Sequence, residues 1–139
     1  MNHKIKAATF IAVAAALSIH TPAALSAPLP QKVGQCSKTF IVGFSYRLEE
    51  QDKSGKWVPV KGSGTTIDYT NGGRQVSYDV LPAIFASKRG DPVMLCLKSI
   101  PDCRHAPPGD VRGKIYGAKN LRTGKTWILP DSQHFCGGA

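Results

Sequence analysis

The residues best suited to chemistry in this 139-residue chain are its four cysteines and two nearby histidines. Cys103 and His105 are two positions apart, as are His134 and Cys136, and Cys96 lies shortly before them. Thiolates and imidazoles bind zinc and copper, so these five side chains could form a metal site. Their spacing is not that of a standard zinc-binding motif. Metal binding is therefore an alternative hypothesis, and no cofactor is predicted.

Disulfide bonds are the first prediction for the cysteines, because an even number in a small exported chain is typical of a disulfide framework. Four cysteines allow three pairings, and loop-closure entropy does not choose among them, since each pairing contributes about 7–8 kcal/mol in total. Locality favours a nested arrangement. In it Cys96 pairs with Cys103 across a chain reversal at 99–102, and Cys36 pairs with Cys136 to join the two ends of the domain.

The first 26 residues have the order of a secretory signal peptide. A basic start at Lys4 and Lys6 precedes the largely apolar run Ala7–Leu17, and small residues follow. Ala24 and Ser26 stand at the spacing expected for cleavage after Ser26. The apolar run is too short for a membrane helix, which needs about 20 residues. The sequence predicts a signal peptide over 1–26 and one exported domain over 27–139, without a membrane span, in the periplasm or outside the cell.

Basic residues are concentrated in one part of this domain. The chain contains 18 Lys and Arg against 9 Asp and Glu. From Lys88 to Lys125, nine basic side chains stand against three acidic ones, Asp91, Asp102 and Asp110. Such an excess favours salt-sensitive binding of anionic partners. The candidate contacts are Lys88, Arg89, Arg104, Arg112, Lys114, Lys119, Arg122 and Lys125.

The anionic partners that an exported protein meets include lipopolysaccharide, acidic glycans and acidic proteins. Specific nucleic-acid binding is not predicted, because no tight basic cluster occurs and no aromatic residues interleave at stacking spacing. The same charge could serve solubility alone. Arg89-Gly90-Asp91 is a tripeptide that some host cell-surface receptors bind on exposed loops, although three-residue motifs also arise readily by chance.

No set of residues indicates covalent catalysis. Ser63 lacks the Gly-x-Ser-x-Gly context of a nucleophile elbow. Glu49, Glu50 and Asp52 are adjacent acids at the end of a predicted strand, where solvation is the ordinary role. The glycine-rich stretches lie between predicted strands and not before a helix, so no phosphate-binding loop is expected. The sequence therefore predicts a binding module that is not an enzyme, with a structural or inhibitory protein–protein module as a further alternative.

The elements that must position these residues are mostly strands. Residues 38–48 alternate, with Phe40, Val42 and Phe44 on one face and Ile41 and Gly43 on the other. Asn71-Gly72 between 65–70 and 74–80 predicts a hairpin, in which Val76, Tyr78 and Val80 alternate with Gln75, Ser77 and Asp79. Further strands are predicted at 57–60, 93–100, 112–118 and 126–129, with one helical turn at 82–87.

About seven short antiparallel strands separated by turn signals predict an all-β sandwich or small barrel, stapled by disulfides. The aromatic side chains could form a surface that stacks on sugars. Their alternation with polar residues instead favours packing in the core. The aromatic residues in question are Trp57, Tyr69, Tyr78, Tyr116 and Trp127.

Short glycine- and proline-containing motifs are spread along most of the predicted mature chain. They are Gly62-Ser63-Gly64, Asn71-Gly72-Gly73 followed by 75–79, Gly90-Asp91-Pro92-Val93, Pro107-Pro108-Gly109-Asp110, Asn120-Leu121-Arg122-Thr123-Gly124, 130–134 and Cys136-Gly137-Gly138-Ala139. The series resembles a group of small exported proteins of proteobacteria. The resemblance implies a bacterial, exported setting. It brings no catalytic or binding residue with it, because the group has no assigned activity.

Overall fold

The computed structural model describes residues 25–138. Eight strands and one short helix follow in chain order as β1 (Cys36–Ser45), β2 (Glu49–Gln51), β3 (Trp57–Pro59), β4 (Thr65–Tyr69), β5 (Arg74–Ser77), α1 (Pro82–Phe85), β6 (Pro92–Ser99), β7 (Ile115–Asn120) and β8 (Thr126–Pro130). The predicted signal peptide falls within residues 1–24, outside the described residues, except for its last two positions.

Six strands form one antiparallel sheet in the order β5-β4-β1-β6-β7-β8, and β2 and β3 form a separate hairpin. The sheet curls until its two edge strands approach each other. Gln75 of β5 crosses the remaining opening, where its amide nitrogen donates hydrogen bonds to the carbonyl oxygens of Tyr116 and Leu129. The result is a half-barrel, and the predicted all-β, disulfide-stapled class is confirmed.

The core lies on the inner face of this curled sheet, where every second side chain of the central strands is buried, as alternation requires. In β6 the buried positions are Val93, Leu95 and Leu97. The helix α1 contributes Ile84 to the same cluster. The core cluster consists of Ile41, Ile67, Tyr69, Ile84, Val93, Leu95, Leu97, Tyr116, Ala118, Trp127 and Leu129.

The strand β1 does not keep Phe40, Val42 and Phe44 on one face, as its alternation predicted. Thr39 and Ile41 are buried, whereas Val42 is exposed. The pairing of β1 with β4 shifts register between Ile41 and Gly43, which marks a bulge. An extra residue reverses the alternation beyond it, so Phe44 packs against the core. A period-two pattern gives no sign of this change.

The aromatic prediction is confirmed for three residues and wrong for two. Tyr69, Tyr116 and Trp127 are buried in the core. Trp57 and Tyr78 are 60% and 59% exposed. Trp57 lies in the β2–β3 hairpin, which stands outside the main sheet and therefore receives no covering layer. The strand β2 is absent from the sequence prediction because its three residues are polar and exposed.

Candidate functional site

The four cysteines form two disulfides in a pairing that differs from the predicted one. Cys36 joins Cys96, and Cys103 joins Cys136. Cys36 and Cys96 stand directly opposite each other in the β1–β6 ladder, with their Cα atoms 4.0 Å apart. The nested pairing is wrong. It was chosen because Cys96 and Cys103 are close in sequence, whereas the pairing of β1 with β6 brings together two cysteines that are 60 positions apart.

The same disulfides contradict the cysteine–histidine metal site. Every cysteine sulfur is held in an S–S bond, so none is a thiolate ligand. His105 and His134 are exposed. Within residues 25–138, no group of three or more His, Cys, Asp or Glu side chains is arranged to hold a metal ion.

Three of the eight predicted contact residues are paired with the three acids of their own stretch. Arg104 lies 2.6 Å from Asp102, Arg112 lies 2.8 Å from Asp110, and Arg122 lies 2.6 Å from Asp91. The acid beside each arginine neutralises it locally. Each of these three arginines therefore carries a local counter-charge, and all eight predicted contacts stay predictions.

The Asp91–Arg122 pair is part of the fold. Asp91 is 5% exposed, and it accepts hydrogen bonds from Arg122 Nε and Nη2, from Asn120 Nδ2 and from the backbone N–H of Lys88. These donors, led by the Arg122 guanidinium, hold the pKa of the Asp91 carboxyl well below its usual range. The cluster fastens the loop before β6 to the β7–β8 turn. It also buries the Asp91 carboxylate of the Arg89-Gly90-Asp91 tripeptide, so the tripeptide does not expose its acid.

We expect Asp91→Asn to lower the free energy of unfolding at neutral pH by about 2 kcal/mol, because the buried carboxylate is the shared acceptor of this cluster. A lowered folded-state pKa contributes stability above the unfolded value near 3.8, and that stability is lost as the pH falls. The difference between wild type and variant should therefore shrink during acidification. Urea unfolding between pH 7 and pH 2.5 measures it.

The matched control for this prediction is Asp102→Asn, which breaks an ion pair whose two side chains are largely exposed. Exposed pairs contribute little to stability. The control should unfold like wild type at every pH. An equal response of the two variants would contradict the structural role given to Asp91.

The six remaining basic residues of the 88–125 stretch have no carboxylate within 4.0 Å among the described residues. They are Lys88, Arg89, Lys98, Lys114, Lys119 and Lys125. All but Lys114 are exposed, and Lys114 is half-buried. Five of these were predicted contacts, and Lys98 was counted in the basic stretch but was not selected as one. The uncompensated charge of the stretch therefore resides in these six side chains.

Three exposed lysines belong to the outer face of the sheet, opposite to the core. Lys119 of β7 pairs with Met94 of β6, and Met94 pairs in turn with Lys38 of β1. Lys98 follows at the far end of β6. Lys38 lies outside the basic stretch and was missed by a count along the chain. Alternation places Lys38 on the same face as Phe40 and Val42, so the sequence pattern did not mark it as part of a basic surface.

Two of these lysines, Lys98 and Lys119, line a groove of about 340 Å³ that follows β6, β7 and β8. Its floor is a cross-strand row in which the Cys36–Cys96 disulfide, Gly117 and Ile128 are neighbours. We call it the lysine-rimmed groove. Its lining residues are Met94, Cys96, Lys98, Gly117, Ala118, Lys119, Thr126, Trp127 and Ile128.

Two further clefts, of about 450 and 430 Å³, lie on either side of Arg74. Each contains acidic as well as basic side chains. Arg74 is paired with Asp68, and Arg47 donates to Gln133 while its guanidinium lies 4.4 Å from the centre of the Tyr78 ring. These clefts present balanced charge, in contrast to the lysine-rimmed groove.

Comparisons of the chain with protein-family models, with curated proteins and with solved structures found no match. The resemblance to exported proteobacterial proteins therefore stays a prediction. Among residues 25–138, no helix has the length and apolar character needed to cross a membrane. The two disulfides are of the kind that persists in oxidising compartments.

Proposed function

We propose that this protein is a non-catalytic binding module, acting in the periplasm or outside the cell, for an anionic partner. The partner classes are those that an exported protein meets: envelope glycan, lipopolysaccharide or acidic protein. The observation that carries the proposal is the set of exposed lysines on the outer sheet face, Lys38, Lys98 and Lys119. None of them has a carboxylate within 4.0 Å in the described part of the chain.

The sheet fixes the spacing of these charges. Lys38 and Lys119 are separated by one intervening strand, so their backbones are about 10 Å apart. That distance equals about one screening length at ordinary ionic strength, so their fields reinforce each other. Two or more negative groups on a polymer or surface can be contacted at once. A rigid array of this kind favours fast, salt-sensitive association.

The predicted signal peptide and the two disulfides support the proposed location in the periplasm or outside the cell. The residues 1–26 have the pattern of an export signal, and both cystines would be unusual in a reducing cytoplasm. Lipopolysaccharide and acidic glycans are fixed anions of the compartments to which such a signal leads. A basic module there meets a high local density of negative charge.

We expect the triple variant Lys38→Gln/Lys98→Gln/Lys119→Gln to bind dextran sulfate at least about tenfold more weakly than wild type in 50 mM NaCl, since each lysine near an anionic surface contributes about 1 kcal/mol. Wild-type binding should weaken as NaCl rises. Isothermal titration calorimetry at three salt concentrations measures both effects.

The matched control is Lys53→Gln/Lys56→Gln/Lys61→Gln, which removes the same charge from exposed positions on and beside the β2–β3 hairpin. It should keep most of the affinity. An equal loss in both triple variants would show that net charge alone matters. The absence of wild-type binding at low salt would overturn the proposed function itself.

A further inference from the structure

We propose that the lysine-rimmed groove binds a single-chain anionic amphiphile, with the alkyl chain along the apolar floor and the anionic group at Lys98 and Lys119. The inference rests on the proposed function and names the ligand class of the same surface. It narrows the partner from any anion to one that also carries an alkyl chain.

Gly117 is the first argument for a ligand in this groove. It lies in the middle of β7, and its φ is not positive, so the backbone there would accept any residue. A glycine inside a strand weakens the strand and often marks a close approach to the backbone. A Cβ at this position would lie 2.6 Å from Lys98 Cε. The missing side chain leaves a depression in the sheet, over which the Lys98 stem now lies.

The floor around this depression is apolar and open to solvent. Ile128 is 65% exposed and stands directly opposite Gly117 in the β7–β8 ladder. On the other side of Gly117 is Cys96, with its disulfide to Cys36. The volume of about 340 Å³ is at the lower end of small-molecule sites, which are also mostly apolar with a few placed polar groups. Sugar hydroxyls would find few hydrogen-bond partners on such a floor.

The positive charge of the lysines at the rim determines which apolar ligand the groove favours. Residues 1–24 contain Lys4 and Lys6 and no acid, so this segment of the chain would be repelled. A second copy carries the same excess of 18 basic over 9 acidic residues, which also opposes docking here. An alkyl chain with a negative group matches both the floor and the rim.

Lys98 can serve both parts of such a ligand. Its aliphatic stem covers Gly117, and its amino group reaches solvent. Lysine side chains commonly lie along apolar surface with the charged end in water. An alkyl chain entering the depression would displace the stem and remain within reach of the amino group. The anionic group would then lie between Lys98 and Lys119.

The probes that test this are dodecyl phosphate below its micelle concentration, ethyl phosphate and dodecyl maltoside. Each is titrated calorimetrically into the full folded protein, with circular dichroism to show that the fold persists. Dodecyl phosphate should bind at least about a hundredfold more tightly than ethyl phosphate, because each buried methylene strengthens binding about fourfold. Neutral dodecyl maltoside should bind much more weakly than dodecyl phosphate.

Gly117→Val fills the depression and should abolish dodecyl phosphate binding while dextran sulfate still binds through the lysines. Ile128→Thr, at an exposed position that tolerates the change, is a second variant in case the valine disturbs the sheet, and it should weaken dodecyl phosphate several-fold. Val42→Thr, on an exposed β1 position outside the groove lining, is its matched control and should bind like wild type.

Equal affinity for ethyl and dodecyl phosphate, or for dodecyl phosphate and dodecyl maltoside, would overturn the inference and leave anion binding standing. An acidic peptide that binds and is blocked by Gly117→Val, with no binding of dodecyl phosphate, would assign the groove to a protein partner instead. If the wild-type protein bound neither dodecyl phosphate nor dextran sulfate, the result would contradict the proposed function as well.

Discussion

Replacement of Gln75 by leucine should lower the free energy of unfolding by about 3 kcal/mol, one of the largest effects expected from a single substitution in this chain. Gln75 is fully buried, and its amide makes four hydrogen bonds. Its oxygen accepts from Tyr69 Oη at 2.7 Å and from Trp127 Nε1 at 2.9 Å. A leucine of similar size would leave several of these partners without water or a replacement.

The substitution also tests how the half-barrel is closed. The Gln75 amide is the link from edge strand β5 to carbonyl oxygens of β7 and the other edge strand, β8. Without it the β5–β8 opening loses its internal hydrogen bonds and water can enter. Urea unfolding followed by circular dichroism gives the free energy, and hydrogen exchange of β5 and β8 amides reports the opening. Gln133→Leu, at an exposed position, should change little. Equal stability of the two variants would contradict this role.

Tyr69 provides a second readout of the same buried cluster. Burial raises the pKa of its hydroxyl well above the ordinary value near 10. The folded protein therefore holds Tyr69 protonated, and its contribution is complete below the unfolded pKa and is lost as the pH rises above it. Alkaline unfolding should begin at lower pH in Gln75→Leu than in wild type, because the cluster that excludes water is already weakened.

Gln75 also shows why local patterns predict this fold well and its closure poorly. The Asn71-Gly72 turn needs one residue with positive φ, which Gly72 supplies, and the predicted hairpin forms there. The predicted alternation in β5 placed Gln75 opposite to Val76, on the polar face. Both are buried, because Gln75 enters the core and meets β7 and β8 from the far edge of the sheet. The contact of Gln75 with β7 and β8 cannot be predicted from residues 74–80 alone.

In the candidate site, too, the local features could be predicted from the sequence and the long-range contacts could not. Counting charges from Lys88 to Lys125 identified the basic stretch and its three acids. Only the folded chain shows that Arg104, Arg112 and Arg122 are bound to those acids. The outer sheet face brings Lys38 near Lys119 through strand order, since β1 and β7 both flank β6. Strand order is a long-range property that short patterns do not contain.

Loss of the Cys36–Cys96 disulfide, tested as Cys36→Ser/Cys96→Ser, is the other large effect and should cost about 4 kcal/mol of unfolding free energy. The bond closes a loop with a sequence separation of 60, so it removes much of the chain's freedom in the unfolded state. It also joins β1 to β6, the two central strands of the sheet, which we expect to separate only on global unfolding. The full entropic contribution should therefore appear in the global stability measured by urea unfolding.

Cys103→Ser/Cys136→Ser is the matched control. The sequence separation of this pair is 33, and loop length alone would predict that the bond contributes only slightly less unfolding free energy than Cys36–Cys96 does. This bond joins two segments outside the strands, 101–114 and 131–138, which we expect to detach while the sheet stays folded. Hydrogen exchange should accelerate in those two segments and leave β1 and β6 protected, whereas the first variant should expose β1 and β6. If both variants lost the same global stability, the C-terminal segment would be an integral part of the cooperative unit. In that case the position of a disulfide in the sheet would not determine how much it contributes to the global free energy of unfolding.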